Sequence, residues 1–550
     1  MKNKSRGEKI QIFCSKYLLL CVAILVLIIG IFSLLITAFF KLDTYKYTLE
    51  RTAYVWENIP FLFLGILIFL LGCFIFYKIT KKVKTKWVLA ICLIIIAISQ
   101  LLWICNLKFN PRYDQLSVIE LAEKLLQKDF SDFGDPTSYF GIYPFQLGII
   151  YYIAIIYKIF NTNNPLLLQI LNVGFSIINL FLMYKITKQL FKDKKIEKVV
   201  IFLLLGFSIY FLFFNVFVYG NINGLTFGLI ALYNTLRYLE TKKIKNILIT
   251  AITMAIAIIL KSNYSIFLCG VIIILLLEFL KDKNKRTILG AGLILITYII
   301  LQFLTKTSLE IYTNKEIPEG TPMLGYLYIG MADNKIMTSG WYIEIPVNVY
   351  KKNNGNVERA KEIDMYFIKE RVNELLRNPK ELLRFYADKL ASTWLNPTFQ
   401  TVQLASVDRQ TEKNKEYIKE LESKPIIISM LSGTLFDIEE QFLNIFQSTV
   451  FIFAFYTMYM IYKKGKLKFV LLPIIFLGGF VFHVFWETKA IYVLQYYYLL
   501  IPYAAFSITK LITFTENKIK SKRSKKMLDA PKEIKSDRFI GKIRKSKFIM

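Results

Sequence analysis

Histidine is almost absent: His483 is the only one in 550 residues. A zinc site or a Ser-His-Asp triad has too little to build with, so any catalysis must rest on carboxylates, lysines, arginines and backbone groups. The six cysteines, Cys14, Cys21, Cys73, Cys92, Cys105 and Cys269, all lie within or beside apolar runs, which implies no disulfide framework. Acids are scarce, with 40 Asp and Glu against 70 Lys and Arg for a formal net charge of +30. That surplus does not point to nucleic acid, because the lysines fall in short clusters between apolar runs rather than on one face of a compact domain. Internal repeats and Gly/Ser linkers are missing as well.

What the chain has in quantity is apolar surface: 55% of residues are hydrophobic and 16% aromatic, far beyond an ordinary soluble protein. Runs near the ~20 residues needed to cross hydrocarbon occur at 17–40, 58–77, 87–107, 165–184, 198–217, 222–238, 247–260, 266–280, 287–305, 442–462, 469–486 and 491–509. The first is too long for a signal-peptide core, which holds roughly 7–15 apolar residues, and reads as an uncleaved span. The basic start, the clusters at 78–86, 184–198, 237–246, 281–286 and 463–468, and the tail after Lys510 all fall on one side if there are twelve crossings with both termini in the cytoplasm. A further apolar run, 143–160, would reverse every later basic loop if it crossed, so it is expected to be re-entrant or interfacial.

The expected fold is therefore an all-α polytopic membrane protein with about twelve transmembrane helices, a re-entrant or interfacial helix, and a small helical extracytoplasmic domain. Two polar segments should face outside, the loop 108–142 and the stretch 306–441, with short outer turns at 218–224, 261–265 and 482–492 converging on one cavity. Residues 442–511 return to the membrane, and 512–550 form a basic cytoplasmic tail. In the stretch 306–441, Ile363, Tyr366 and Phe367 mark one helical face, and Asn378-Pro379 opens a second helix carrying Leu382, Leu383, Phe385, Tyr386, Leu390 and Trp394. The Gly-rich, aromatic stretch 319–342 could cover the cavity as a lid.

The first outer loop, "FNPRYDQLSVIELAEKLLQKDFSDFGDPTSYFGIYPFQLG" at 109–148, is more charged than a connector requires. Ser117 and Glu120 have capping-box spacing, and Val118, Leu121, Ala122, Leu125 and Leu126 mark one apolar face that lies on the membrane or on protein. Asp114 then stands just ahead of a rigid helix, where it can serve as a general base or simply as a turn aspartate. Asp132 and Asp135 could supply a second carboxylate or help hold a divalent cation. Tyr139, Tyr143 and Gln146 offer hydroxyl and amide groups beside the apolar run, although tyrosines also mark membrane interfaces.

A first outer loop with Asp114-Gln115 before an amphipathic helix, a Tyr-Pro segment at 143–144, the run "NNPLLLQILNVGFSIINLFLMYKITKQLF" at 163–191 and "WETKAIYVLQYYYLLIPY" at 486–503 together resemble the GT-C superfamily of integral-membrane glycosyltransferases. The similarity is to bacterial relatives of protein O-mannosyltransferases and of aminoarabinose transferases, and it spans about residues 87–509. It implies a transmembrane catalytic core at 87–305, preceded by two additional spans in 1–86. It also implies an extracytoplasmic site that moves a sugar from a polyprenyl-phosphate carrier to a hydroxyl on a cell-envelope polymer, glycolipid or protein, with Asp114 as base. Glu487, Lys489 and Tyr492 match the Glu, basic residue and Tyr that precede the last helix in such enzymes. Lys489 and then Lys261 are the nominees for the leaving phosphate, since each sits at an outer span end. Lys489 could instead pair with Glu487 or snorkel. Two departures stand out: Asp-Gln replaces the Asp-Glu pair of the protein mannosyltransferases, and the two leading spans are extra.

Two other classes fit the same outline. An oligosaccharide polymerase or ligase would use arginines of the long loop, Arg359, Arg371, Arg377, Arg384 and Arg409, to hold phosphates. A transporter would need broken helices and charges near mid-membrane, and no ionisable residue stands well inside an apolar run.

Overall fold

The structure is a computed structural model that describes residues 5–43, 47–333, 337–406 and 415–528. It begins with α1 (Arg6–Leu35), the hairpin strands β1 (Ile36–Asp43) and β2 (Tyr47–Trp56), α2 (Ile59–Thr80), α3 (Thr85–Leu107), α4 (Asp114–Gln127), α5 (Tyr139–Ile142) and α6 (Leu147–Phe160). There follow α7 (Pro165–Phe191), α8 (Lys194–Phe214), α9 (Asn221–Thr241), α10 (Ile244–Leu260), α11 (Ser265–Asp282) and α12 (Lys285–Thr313). The polar stretch carries α13 (Met323–Ile329), α14 (Ile345–Lys352), α15 (Val357–Arg377), α16 (Pro379–Trp394), α17 (Thr401–Ala405), α18 (Lys415–Glu422) and α19 (Pro425–Ser432). The chain ends with α20 (Thr434–Ile461), α21 (Leu471–Phe485), α22 (Leu494–Tyr498) and α23 (Ile501–Leu528). Met1–Ile508 form one compact unit, and a second begins at Thr509, inside α23.

The protein is all-α and polytopic, as its composition requires: a backbone in lipid must bond to itself, and a helix does so within one segment. Each of the twelve apolar runs is mainly helical. Among the described residues nine helices are long and apolar enough to cross a membrane, and Pro144–Phe160, Ile244–Leu260 and Leu471–Phe485 are shorter apolar helices. The 21-residue α9 is more polar, because most of its side chains, Asn221, Asn223 and Asn234 included, are buried inside the bundle against α7 and α10. At 14 residues and ~1.5 Å per residue, α6 reaches about 21 Å, short of the ~30 Å of hydrocarbon.

Some local expectations fail. The run 17–40 does not stay helical: α1 stops at Leu35, and β1 pairs antiparallel with β2 from Ile36 opposite Trp56 onward. The Glu57 amide donates to Leu35 O at 3.1 Å, which ties the hairpin shut, and the Ala38 amide reaches Leu395 O at 3.3 Å, beyond the end of α16. The helix carrying Ile363, Tyr366 and Phe367 starts at Val357 behind an Asn356 cap, and Asn378 caps α16 ahead of Pro379. The buried stripe of α15 is Ala360, Asp364, Ile368, Arg371 and Leu375 rather than the face of Ile363, Tyr366 and Phe367. Tyr366 is 60% exposed, and Leu383 on α16 is 73% exposed. The apolar signal misleads here because the stripe facing α13, α14 and α16 contains an aspartate and an arginine, whose carboxylate and guanidinium are enclosed by those helices.

Candidate active site

The loop helix α4 rests on protein. Val118, Ile119, Leu121, Ala122 and Leu125 are buried against Ile149, Ile150, Ile153, Ala154 and Tyr157 of α6. The helix starts earlier than the capping box implied. Asp114 is its first residue, Tyr113 is the cap, and Ser117 Oγ only reaches back to Tyr113 O at 3.5 Å. Tyr113 has φ 51 and ψ −136, a left-handed backbone that a bulky side chain adopts at a cost, held directly before the candidate base. Gln115 is buried and accepts the Val218 amide at 3.2 Å, so the Gln of the Asp-Gln pair pins the loop to the turn at 218–220. A glutamate there would have to carry its charge into a buried position.

Half-buried Asp114 faces a set of hydroxyls and one ammonium. The Tyr139 hydroxyl is within hydrogen-bonding reach of the carboxylate and lies 3.1 Å from the Tyr219 hydroxyl. Burial, and secondly the nearby Asp114 charge, hold the Tyr139 phenol well above its usual pKa, so it stays a donor. The Gln146 amide donates to the Tyr219 hydroxyl, and Lys261 Nζ stands 3.9 Å from the centre of the Tyr219 ring. Gly220, at φ 81, makes this approach possible: a Cβ there would lie 2.2 Å from Leu260 O. Burial pushes the Lys261 ammonium down to about 7, Asp114 and Glu487 pull it back up, and Lys489 pushes it down further.

The carboxyl-terminal motif closes the other side. Lys489 Nζ is 3.3 Å from Glu487 Oε1 and lies over the rings of Trp341 at 5.1 Å and Tyr492 at 5.8 Å. Tyr492 is in electrostatic range of Glu487, Lys489 and Asp114 together. Asp114, Tyr139, Tyr143, Gln146, Lys261, Glu487, Lys489 and Tyr492 are thus neighbours, drawn from four separate stretches of chain. The described residues of 319–333 and 337–342 lie over the cluster. Tyr326 stacks on Trp486 with centroids 5.3 Å apart, the Tyr342 and Tyr143 hydroxyls are 3.4 Å apart, and the Thr321 amide donates to Ile142 O at 3.1 Å.

Asp132 and Asp135 each have local partners. Lys124 Nζ lies 2.6 Å from Asp132 Oδ2. Asp135 Oδ1 accepts the Thr137 amide and hydroxyl, each at 2.8 Å, and these bonds hold its carboxyl below the usual range. Among the described residues no group of three His, Cys, Asp or Glu side chains could hold a metal ion. His483 is buried at the end of α21, its ring 6.0 Å from that of Tyr492.

Four contributors escaped the sequence reading. Tyr219 lies in a turn already placed at the cavity, and its aromatic-glycine step was the available signal. Tyr326, Trp341 and Tyr342 lie in the lid stretch, where composition hinted at a cover but singled out no residue.

Over residues 146–304 the sequence matches the family described as dolichyl-phosphate-mannose-protein mannosyltransferase. A search of curated proteins finds no match. The matched stretch runs from Gln146 through Tyr219 and Lys261, so it covers one wall of the cluster. The matched stretch resembles a GT-C-type family, and together with the polytopic helical build it supports a membrane glycosyltransferase of the GT-C type.

Proposed function

We propose that the protein transfers a sugar from a polyprenyl-phosphate carrier to an acceptor hydroxyl at the outer face of the cytoplasmic membrane. The acceptor class is a cell-envelope polymer, a glycolipid or a protein. The observation that carries this reading is the meeting of one loop carboxylate, Asp114, with two lysines, Lys261 and Lys489, under an aromatic roof. The acceptor oxygen attacks the anomeric carbon as its proton passes to Asp114. The bond from that carbon to the phosphate oxygen breaks, and the lipid phosphate leaves with the electron pair. Lys261 and Lys489 stabilise the charge that grows on the leaving phosphate. Tyr139 orients the carboxylate, and Gln146 and Tyr219 hold Tyr139 and Lys261 in register. Asp132 and Asp135 have no part in this scheme: Asp132 pairs with Lys124 of α4, and Asp135 accepts bonds from Thr137 in its own turn.

The ligase reading is weakened by its own arginines. Arg359 pairs with Glu362, Arg371 with Glu374, and Arg384 with Glu381 and Asp333. Arg409 lies outside the described residues.

The test is transfer of labelled sugar from polyprenyl-phosphate donors by membranes carrying wild-type protein or Asp114→Asn at matched abundance. Removing a general base is expected to lower the rate by about 10²–10⁴-fold. Full activity of Asp114→Asn would remove Asp114 from the mechanism, and absence of transfer from every donor would return the ligase and transporter readings.

A further inference from the structure

The β1–β2 hairpin joins the two N-terminal spans, which lie outside the matched stretch. Ala38 of β1 stands opposite Tyr54 of β2, and this one rung is docked on α16 at two points. The Ala38 amide donates to Leu395 O, just past the end of α16, and the Tyr54 hydroxyl donates to Asp388 Oδ1. Those two acceptors are about two helical turns apart, so the contact runs along the helix. The base of the hairpin is fixed as well: the Glu57 amide bonds Leu35 O, and Asn444 Nδ2 of α20 donates to Glu57 Oε1 at 2.8 Å. Burial, and then the bond to Asp388, hold the Tyr54 phenol above its usual pKa, so it stays a donor.

Asp388 passes this hold onward. Its other oxygen, Oδ2, accepts the Ser339 amide at 2.9 Å, and a carboxylate binds such donors more strongly than a neutral acceptor does. Ser339 O in turn accepts the Thr488 hydroxyl at 2.9 Å, and Gly340 O accepts the Thr488 amide at 2.8 Å. Ser339 and Thr488 are buried, so solvent cannot replace these bonds once they are lost. The next residue of α16, Lys389, donates to Gly330 O, and an added Cβ on Gly330 would lie 2.0 Å from Phe485 O. On the far flank the Ala490 amide donates to Gln400 Oε1 at 2.8 Å. Lys489 thus stands between two residues whose backbone is held, with its Nζ 3.3 Å from Glu487 Oε1 and over the ring of Trp341.

We propose that Asp388 is a positioning residue: it carries the hold of the β1–β2 hairpin through Ser339 and Thr488 to Lys489, so that the two N-terminal spans set where Lys489 meets a lipid-borne phosphate. The phosphate rests on the function proposed above; the chain of bonds from Tyr54 to Thr488 does not. The two leading spans, an addition to the shared core by sequence, then form part of the support of the site.

The experiment compares the full-length purified protein with Tyr54→Phe, Asp388→Leu, Asp388→Asn and the double variant Tyr54→Phe/Asp388→Leu. It reads hydrogen–deuterium exchange of the amides at 338–341 and 486–490, and the affinity for polyprenyl monophosphate, the leaving group of such donors. Tyr54→Phe removes one oxygen from a strand remote in sequence from both segments. It should speed exchange in both and weaken binding by about threefold or more, while the 218–224 turn exchanges as before. Asp388→Leu should lose more, and Asp388→Asn, which keeps an acceptor for the Ser339 amide, should fall between. The double variant should lose no more than Asp388→Leu alone. Unchanged exchange at 486–490 in Tyr54→Phe would overturn the relay, as would losses that add in full in the double variant. Faster exchange with unaltered binding would overturn the part played toward Lys489. If Asp388→Leu does not fold, Tyr54→Phe and Asp388→Asn decide by the same readouts. If wild type binds no polyprenyl monophosphate, the donor assignment falls, while exchange still decides the relay.

Discussion

Lys261 ties the site to pH. Its ammonium is enclosed and titrates near 7, against about 10.4 in an unfolded chain. The folded state therefore binds fewer protons than the unfolded one between those values. The contribution of this group to stability grows as pH rises from about 7 to 10 and is least at and below 7. Phosphate binding wants the opposite, a charged lysine. The groups facing it are Asp114, Glu487 and Lys489, and a bound phosphate would raise its pKa again. Donor kcat/KM should fall as pH rises above about 7. Lys261→Arg, which stays charged, should remove that fall. A pH profile of transfer at low donor concentration checks both, and an unchanged profile in the arginine variant would exclude Lys261 as the titrating group. Asp114 and Lys489 were legible in the sequence because each sits in a short local pattern at a span end. Lys389 was not, since α16 reads as an ordinary amphipathic helix and the hydrogen bond of its ammonium to Gly330 O joins residues far apart in the chain.

At the scale of elements, the position of α4 decides whether Asp114 meets the cluster. Its apolar face packs on α6, and Gln115 registers it against the 218–220 turn. Gln115→Ala leaves the buried Val218 amide without its acceptor and should lower stability by about 1–3 kcal/mol. Transfer should fall further than the stability loss explains, because α4 can then slide. Denaturant melts and kcat measured side by side test this, and an equal loss in both would mean that Gln115 only stabilises. The helices themselves were readable from apolar run length, which is a property of composition. The β-hairpin was not, because Ile36 to Phe40 continue the apolar run of α1 without interruption. The true face of α15 was hidden for the converse reason, since Asp364 and Arg371 look solvent-bound and are enclosed by helices the local pattern cannot reveal.

For the whole molecule, sidedness follows from charge. On the proposed topology of twelve crossings, with α6 within one leaflet or at its surface, the basic loops would lie on the cytoplasmic side and the helices α13 to α19 outside. In a variant lacking the native cysteines, Lys352→Cys should react in intact cells with a membrane-impermeant maleimide. Lys283→Cys should react only after the membrane is broken. Labelling of Lys283→Cys in intact cells would invert the topology and place the cluster on the cytoplasmic side.

The cluster is gathered from both ends of the sequence, with Asp114 on the first large loop and Lys489 shortly before the last helix. During synthesis, then, Asp114 and Lys261 are made long before Glu487 and Lys489 emerge from the ribosome. An unfinished chain would then hold only half of the proposed site. On the proposed mechanism, activity would arrive only when the final helices insert. A nascent or truncated chain is thus both harmless and conspicuous, the kind of substrate that membrane proteases recognise by its unpaired polar groups.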